Sequence, residues 1–278
     1  MHNWKMILTI GVIIAGVVFA YAHAQTGVRE SYHKEYLFNL AAIEEIRIDG
    51  VDAQINLIPI EGNEIKVDIS GALTQNQEPI AAEQQGSQLK IARPNDRFHF
   101  FSFRLPGKGD VINVYVNPNY NKDIHIDAVS GAVSIQSLQA RKLRVQNVSG
   151  AIALGEIACD TAKLETISGR ISARSLVAAQ SNVSSTSGSI ELRGNVGNLK
   201  GNSISGKIDV EYANFDHDIK LNNISGSIIL QLGGAGDFKL STSSVSGRLT
   251  NEFESTLLGS GKNTIRLETI SGRMTVKK

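Results

Sequence analysis

Two groups of residues in the sequence could take part in metal binding or catalysis. Asp216-His217-Asp218 places three potential metal ligands side by side. Asp127, Glu165 and Glu268 each stand three residues before a Ser-Gly dipeptide, so a repeating fold would bring them onto one line. Converging carboxylates are the catalytic groups of enzymes that cleave polysaccharides. The sequence therefore raises a metal site and a glycan-cleaving site as hypotheses.

The surrounding residues support neither hypothesis. Adjacent residues of a strand point to opposite faces, and no second cluster completes a coordination shell around His217. Residues without a carboxylate interrupt the line of acids: Ser184, Asn202, Asn222 and Ser243. The Ser-Gly serines have no recurrent basic neighbour that would activate one of them as a nucleophile. We therefore predict no catalytic residue, no metal site and no cofactor, and we retain Asp216, His217 and Asp218 as a possible contact surface.

The composition excludes several classes of protein. The chain has 278 residues, with 28 Lys and Arg against 27 Asp and Glu, so no excess of positive charge indicates nucleic acid as a partner. Cys159 is the single cysteine, which excludes an intramolecular disulfide and a cysteine-built metal cluster. Because no cationic residue stands beside it, we interpret Cys159 as a buried packing residue.

The amino terminus has the pattern of an export signal. Residues 6–22 carry no charge, and Ala22-His23-Ala24 presents small residues at the positions that a signal peptidase reads. We predict that residues 1–24 are a signal peptide and that residues 25–35 follow as a flexible leader. The mature protein would then be periplasmic, at the cell surface or secreted. An uncleaved segment would instead anchor the protein, and only in that case do we expect contact with a membrane.

A repeat organises the second half of the chain. The dipeptide Ser-Gly recurs in one apolar frame at eight positions, with intervals of 19, 19, 19, 18, 20, 21 and 25 residues. The dipeptides are Ser130-Gly131, Ser149-Gly150, Ser168-Gly169, Ser187-Gly188, Ser205-Gly206, Ser225-Gly226, Ser246-Gly247 and Ser271-Gly272. Apolar residues recur at fixed offsets before and after each serine, with few exceptions.

This pattern predicts stacked β-strands. Alternation of period two on both sides of Ser-Gly indicates two short strands with one buried face. A unit of this length cannot enclose a core alone, so successive units must stack with like residues above one another. We predict an all-β fold, a right-handed parallel β-solenoid with coils of about 19 residues over residues 126–278. Glycine permits a sharp turn and serine can bond to backbone there, so each Ser-Gly is predicted to be a structural turn.

The first half lacks the regular dipeptide. Residues 36–125 contain alternating segments such as 43–48, 64–69 and 111–116, separated by glycines. We interpret this half as an irregular β opening that caps the amino-terminal end of the solenoid. Four phenylalanines cluster within it, and they either pack on the end of the solenoid or form a contact surface. They are Phe98, Phe100, Phe101 and Phe103.

The repeat resembles that of a bacterial family called "putative adhesin", a domain of unknown function. The resemblance rests on the recurrent V/I-S-G-x-I/V units and on the entry segments 111–118 and 124–131, and it covers roughly residues 40–278. It implies an extracytoplasmic β-helix-like fold and a role in the cell envelope. The family has no established catalytic or ligand-binding residue, so none is carried over to this chain.

These patterns together predict a non-catalytic exported protein that acts by surface recognition. The segments between units lengthen toward the carboxyl terminus, reaching ten residues at 255–264, and we expect these loops to present the contact face. The partner would be an envelope component, a glycan or a protein. Two alternatives stay open: a polysaccharide-active β-helix enzyme, and an envelope-stress accessory protein anchored by its amino terminus.

Overall fold

The computed structural model describes residues 30–73, 77–94, 109–234 and 236–278. The predicted signal peptide and the four clustered phenylalanines lie outside these ranges. Over the described residues the chain is all-β, with sixteen strands in one hydrogen-bonded sheet and a short 3-10 helix at Leu40–Ala42. The strands are β1 (Glu30–Asn39), β2 (Glu45–Pro59), β3 (Glu64–Leu73), β4 (Ala81–Gln85), β5 (Gln88–Ala92), β6 (Asp110–Val116), β7 (Asp123–Ser130), β8 (Val133–Ser149), β9 (Ile152–Ser168), β10 (Ile171–Ser187), β11 (Ile190–Asn195), β12 (Asn198–Tyr212), β13 (Ile219–Leu232), β14 (Phe238–Asn251), β15 (Leu257–Leu258) and β16 (Asn263–Lys277).

The repeat units stack as parallel, in-register strands. Val133 pairs with Ile152, Ile152 with Ile171, and Ile171 with Ile190. Each of these four side chains is at most 1% exposed. The sheet is long, mostly parallel and not closed, which confirms the stacked all-β arrangement that the repeat predicts. The right-handed winding and the length of a full coil remain predictions.

The core consists of rows of like side chains, one residue from each unit. Side chains six and four residues before the serine point inward, as Leu143 and Val145 do in β8, and so do those three and five residues after it, such as Ile152 and Leu154. Burying one such aliphatic side chain stabilises the fold by roughly 1.5–3 kcal/mol. Because most units contribute to each row, the apolar interior is continuous from one unit to the next.

A polar row also lies inside, two residues before six of the corner serines. Asn147 and Asn223 are 3% exposed, and their Nδ2 groups donate hydrogen bonds to the carbonyl oxygens of Gly131 and Gly206, each at 2.8 Å. Thr166, Ser185, Ser203 and Thr269 occupy the same row in other units. The buried asparagines therefore tie one Ser-Gly corner to the strand of the next unit.

The corner glycines are required by the close approach of neighbouring units. A Cβ on Gly169 would lie 2.1 Å from the carbonyl oxygen of Gly150, and one on Gly188 would lie 1.9 Å from that of Gly169. Neither glycine has a left-handed φ, whereas Gly150 does, at +143°. The sharp turn that the sequence predicts is therefore only part of the reason for glycine. The reason common to these corners is backbone contact between units.

Strand β2 is a further repeat unit that lacks the dipeptide. Its first half pairs in parallel with β7 and its second half with β8, so that Ile48 lies beside Ile126 and Ile55 beside Val133. Asp52 pairs with Ser130 and stands where the other units have the corner serine. The repeat thus begins earlier than the Ser-Gly pattern indicates.

The spatial order of strands differs from the chain order at the amino-terminal end. Strands β5 and β6 pair in parallel with the first and second halves of β2, on the side away from β7 and β8. The antiparallel strands β1, β3 and β4 attach to this end. Residues 30–35, expected within a flexible leader, instead form the first part of β1, because their backbone pairs with β3 through Glu30–Leu73 to Glu35–Asp68.

The order is also exchanged at the carboxyl-terminal end. Strand β16, the last in the chain, lies between β13 and β14, and Ser271 pairs with both Ser225 and Ser246. The segment 255–264 contains β15 and returns the chain across β14, so it is a structural connection and not simply an exposed contact loop. Strand β14 is consequently an outer strand, and its Val245 is 83% exposed.

The exchanged order predicts a specific cross-linking pattern. In a Cys159→Ser background, dibromobimane should bridge Ser225→Cys to Ser271→Cys, because paired residues of neighbouring strands lie about 4.8 Å apart. The pair Ser225→Cys and Ser246→Cys, two strand spacings apart, should not be bridged. Bimane fluorescence and peptide mass spectrometry measure the cross-links. Bridging of the second pair but not the first would mean that β14, and not β16, lies beside β13.

The corner glycines give a second prediction. Gly169→Ala should lower the free energy of unfolding by about 3 kcal/mol or more, because its Cβ collides with backbone that cannot move independently. Gly62→Ala is the control, since Gly62 has a φ of +131° but nothing lies within 4 Å of the position that a Cβ would occupy there. The control should cost only about 1 kcal/mol. Equal losses in urea titrations of the two variants would mean that contact between units is not what requires glycine at position 169.

Candidate recognition surface

The strand segments before the corners present a common outward surface. Since residues six, four and two before each serine point inward, those five, three and one before it point outward. We call these outward positions of β2, β7 to β10, β12, β13 and β16 the outer face. The register aligns each position into a row that crosses the strands, so the outer face consists of three parallel rows of side chains.

The row five residues before the serine is basic. Following the sheet from β2 to β16, its members are Arg47, His125, Arg144, Lys163, Asn182, Lys200, Lys220 and Arg266. Only Asn182 lacks a basic side chain. We call it the basic row. The sequence interpretation missed it, although the signal is present as the residue between the two inward apolar positions of each unit.

Most of the first part of the basic row is neutralised by the acids beside it, the exception being Arg144, whose guanidinium donates to the neutral Gln146. Arg47 Nη2 lies 2.7 Å from Asp127 Oδ2, and His125 Nε2 lies 3.2 Å from Asp127 Oδ1. Lys163 Nζ lies 3.1 Å from Glu165 Oε1. Asp127 and Glu165 are two of the three acids considered above for polysaccharide cleavage, and Gln146 separates them in the register. Their carboxylates are therefore engaged by basic neighbours on the outer face.

The later part of the basic row lacks such partners. Asn202 and Asn222 replace the acids beside Lys200 and Lys220, and they bond to each other, Nδ2 to Oδ1, at 2.8 Å. Over the described ranges, no ion pair within 4.0 Å involves Lys200, Lys220 or Arg266. The three cations line an open depression of about 390 Å³ that crosses β10, β12, β13 and β16.

The third row of the outer face is apolar and partly exposed. Val129, Val148 and Ile270, each one residue before a corner serine, are 45%, 39% and 52% exposed. The corner serines lie beside this row and, apart from the half-buried Ser130, are exposed. Ser130 donates a hydrogen bond to Asp52 Oδ1 at 3.0 Å. The outer face therefore combines cations, polar groups and aliphatic side chains in separate rows.

Asp216-His217-Asp218 lies beside the chain that leads into β16. Asp216 Oδ1 accepts hydrogen bonds from Lys262 Nζ at 2.8 Å and from Asn263 Nδ2 at 2.9 Å. Asp218 Oδ1 accepts the backbone N–H of Thr264 at 2.7 Å. The two carboxylates, retained above as a contact surface, thus hold the start of β16 in place. The His217 ring instead lies 6.4 Å from the ring of Tyr212.

Asp237 fastens the same returning segment. Its side chain accepts hydrogen bonds from the Ser260 hydroxyl and from the backbone N–H groups of Gly261 and Lys262. These bonds, that from Ser260 foremost, lower the pKa of Asp237 from 3.8 to about 2 because they stabilise the charged carboxylate. The segment therefore depends on an ionised aspartate.

Cys159 is half-buried and is not activated. Burial, with the nearby charge of Asp160 as a smaller cause, raises the pKa of its thiol to about 11. Since the thiolate is the nucleophilic form, this environment does not favour reactivity near neutral pH.

The structure brings together a group of potential metal ligands that the sequence interpretation did not consider. His33 and Glu35 lie on one face of β1, and Asp68 lies opposite Glu35 on β3, with one ligand atom of each within 4.8 Å of the others. Lys66 Nζ lies 3.1 Å from Glu35 Oε1 and already neutralises that carboxylate. The alternation His-x-Glu in β1 is the only signal of this group in the sequence, and its partner on β3 appears only through strand pairing.

A family model places the fold among known proteins. The model described as Toastrack DUF4097 matches residues 43–277. This chain belongs to the Toastrack DUF4097 family. No curated protein matches the sequence significantly. The family assignment agrees with the resemblance to a domain of unknown function that the Ser-Gly repeat indicates.

Several solved bacterial structures are similar to this Toastrack chain. A Parabacteroides distasonis protein called "putative lipid binding protein" has a TM-score of 0.50 and 14% identity, over 88% of this chain and 97% of that one. Two proteins called "putative adhesin" are similar at lower scores. The one from Parabacteroides merdae has a TM-score of 0.41 and 13% identity over 88% and 96% of the two chains. The one from Bacteroides fragilis has a TM-score of 0.40 and 15% identity over 89% and 97%. At these identities the similarity concerns the fold alone.

Among the described residues, no helix has the length and apolar character needed to cross a membrane.

The low pKa of Asp237 predicts acid sensitivity of the returning segment. Because this pKa is lower in the folded than in the unfolded chain, Asp237 stabilises the fold above about pH 4, and this contribution disappears as the pH falls toward about 2. Asp237→Asn should therefore lower the thermal midpoint at pH 6, and the difference from the wild type should vanish near pH 2. Asp160→Asn, at an exposed aspartate, is the matched control and should leave the midpoint unchanged. A constant deficit of Asp237→Asn at every pH would contradict the role of the charge.

Proposed function

We propose that this Toastrack protein is an exported, non-catalytic recognition protein that binds a component of the bacterial cell envelope through its outer face. The observation that carries the proposal is the repetition of one residue class along each row of that face. A repeated array of side chains suits an extended or repeated partner, whereas an enzyme needs one position that differs from the rest.

The rigidity of the fold supports binding without rearrangement. The side chains of the outer face project from strands that are hydrogen-bonded on both sides, and the rows beneath them are close-packed aliphatic residues. A preorganised surface loses little entropy when it binds, so many weak contacts can add up to useful affinity. A right-handed solenoid with coils of about 19 residues is the form that we propose for this scaffold.

The names of similar structures agree with an envelope role without defining it. One neighbour is called a lipid binding protein and two are called adhesins. We propose a cell-envelope location for this chain, which the apolar segment at residues 6–22 supports as an export signal.

Steric blocking of the outer face tests the proposal. In a Cys159→Ser background, a polyethylene glycol maleimide attached to Asn202→Cys should reduce co-sedimentation with a bacterial envelope preparation by about tenfold, because Asn202 is exposed at the centre of the face. The same label on Arg174→Cys, an exposed site beyond the corner, is the control and should leave binding intact.

Three results would count against the proposal. Absence of binding to any envelope fraction by the unlabelled protein would remove the recognition role. Release of reducing sugars from envelope polysaccharides by the purified protein would favour the alternative of a polysaccharide-active enzyme. Retention of residues 1–24 in the mature protein, measured by mass spectrometry, would favour the anchored accessory protein.

A further inference from the structure

We propose that the depression across β10, β12, β13 and β16 binds a linear acidic polysaccharide, with Lys200, Lys220 and Arg266 contacting carboxylates of successive sugars. This inference rests on the proposed recognition function and names its ligand class. We call the depression the basic groove. Its volume is about 390 Å³, it is open to solvent, and its lining residues come from four neighbouring strands, so it can hold several units of a polymer.

The spacing of the cations suits a polymer. Lys200 pairs with Lys220 and Lys220 with Arg266, so the three residues occupy neighbouring strands. Neighbouring strands lie about 4.8 Å apart, and the three side chains therefore form a straight line of positive charges at a regular interval. A single small anion would need converging donors, whereas a line of cations suits charges that repeat along a chain.

Lys200 and Lys220 are available because their acidic neighbours have changed, and Arg266 makes no ion pair within the described part of the chain although Glu268 lies two residues after it. In the earlier units, Lys163 is paired with Glu165, and Arg47 with Asp127. In the basic groove, the corresponding neighbours Asn202 and Asn222 are neutral and bond to each other. An ammonium group without a protein partner remains free to pair with an external carboxylate.

Two carboxylates lie in or near the basic groove: Asp218 lines it, and Glu268 lies near it. Asp218 lies two residues before Lys220, and Glu268 lies two residues after Arg266 on the same outward face. Asp218 Oδ1 already accepts the N–H of Thr264 at 2.7 Å. Three cations against two carboxylates leave a positive balance, so the basic groove attracts anions, although weakly enough for reversible binding.

Neutral groups around the cations favour a sugar chain over a lipid. Gln180, Asn182 and Asn198 line the basic groove with amide donors and acceptors that can bond to hydroxyl groups. Its apolar residues, Leu199 and Ile219, are only 1% and 2% exposed, so the basic groove offers little surface for an acyl chain. A hydrated, hydroxyl-rich polyanion therefore fits this chemistry better than a membrane surface.

Polygalacturonate is the probe that tests the inference, with dextran as the uncharged polymer. The full chain, purified after export, should bind polygalacturonate in isothermal titration at low ionic strength, should bind it less tightly as salt is added, and should not bind dextran. The variant Lys200→Gln/Lys220→Gln/Arg266→Gln should raise the Kd by at least about tenfold, the combined effect of three solvent-accessible charge contacts. Its thermal midpoint should stay close to that of the wild type, because the three side chains point outward.

A matched variant separates the basic groove from general charge. Arg170→Gln/Arg174→Gln/Arg248→Gln removes the same number of positive charges from exposed positions outside the basic groove and should leave the Kd unchanged. Equal weakening by the two triple variants, or no binding of polygalacturonate by the wild type, would overturn the inference. Binding to phosphatidylglycerol vesicles in place of polygalacturonate would overturn it in favour of a lipid surface.

Failure of the acidic-polysaccharide inference can be distinguished from failure of the proposed recognition function. Suppose that the wild type binds envelope material and that the label at Asn202 blocks this binding. If the triple variant at Lys200, Lys220 and Arg266 then binds as well as the wild type, the recognition role stands and the acidic polysaccharide is the wrong ligand. If the wild type binds no envelope fraction, the recognition role itself fails.

Discussion

The contact of one corner with the next is the constraint on which the rest of the structure depends. The backbone of Gly188 approaches the carbonyl of Gly169 so closely that no Cβ fits between them, and the same relation recurs at other corners. This contact sets neighbouring units in register, because a shift of one residue would bring a side chain into the corner. Once the register is set, residues at the same offset from the corner serine form a row across the strands. The inward rows are apolar or polar, and the outward rows are basic, polar or apolar.

Both ends of the sheet are built so that strands near the chain termini gain partners. Strand β2 lies between β7 and the pair β5 and β6, and β16 lies between β13 and β14. A strand paired on both sides leaves no unsatisfied backbone groups and does not fray as a terminal strand does. The exchange at the carboxyl-terminal end requires a longer connection, and Asp216, Asp218 and Asp237 hold that connection through hydrogen bonds to residues 260–264.

The outer face illustrates how a repeat can vary its chemistry without altering its fold. Outward positions do not contribute to the core, so exchanging an acid for an asparagine there leaves the stacking intact. Lys163 is neutralised by Glu165. In later units Asn202 and Asn222 stand at the same offset, and they leave Lys200 and Lys220 without an acidic partner. Under the proposed function, recognition would depend on which cations lack an acidic partner.

Local sequence patterns predict much of this fold, whereas the order of the strands at its ends depends on residues that are far apart in the chain. The Ser-Gly repeat and its alternating apolar neighbours determined the stacked parallel strands and the inward rows. Both signals are local, because the alternation and the glycine recur within each unit. The basic row was equally readable, but it emerges only when the units are aligned at the outward positions. Tertiary structure alone decided that β2 is a unit with Asp52 at its corner, that β16 inserts before β14, and that Asp216 bonds to Lys262, 46 residues away. Such facts follow from long-range hydrogen bonds, and no pattern within one unit specifies them.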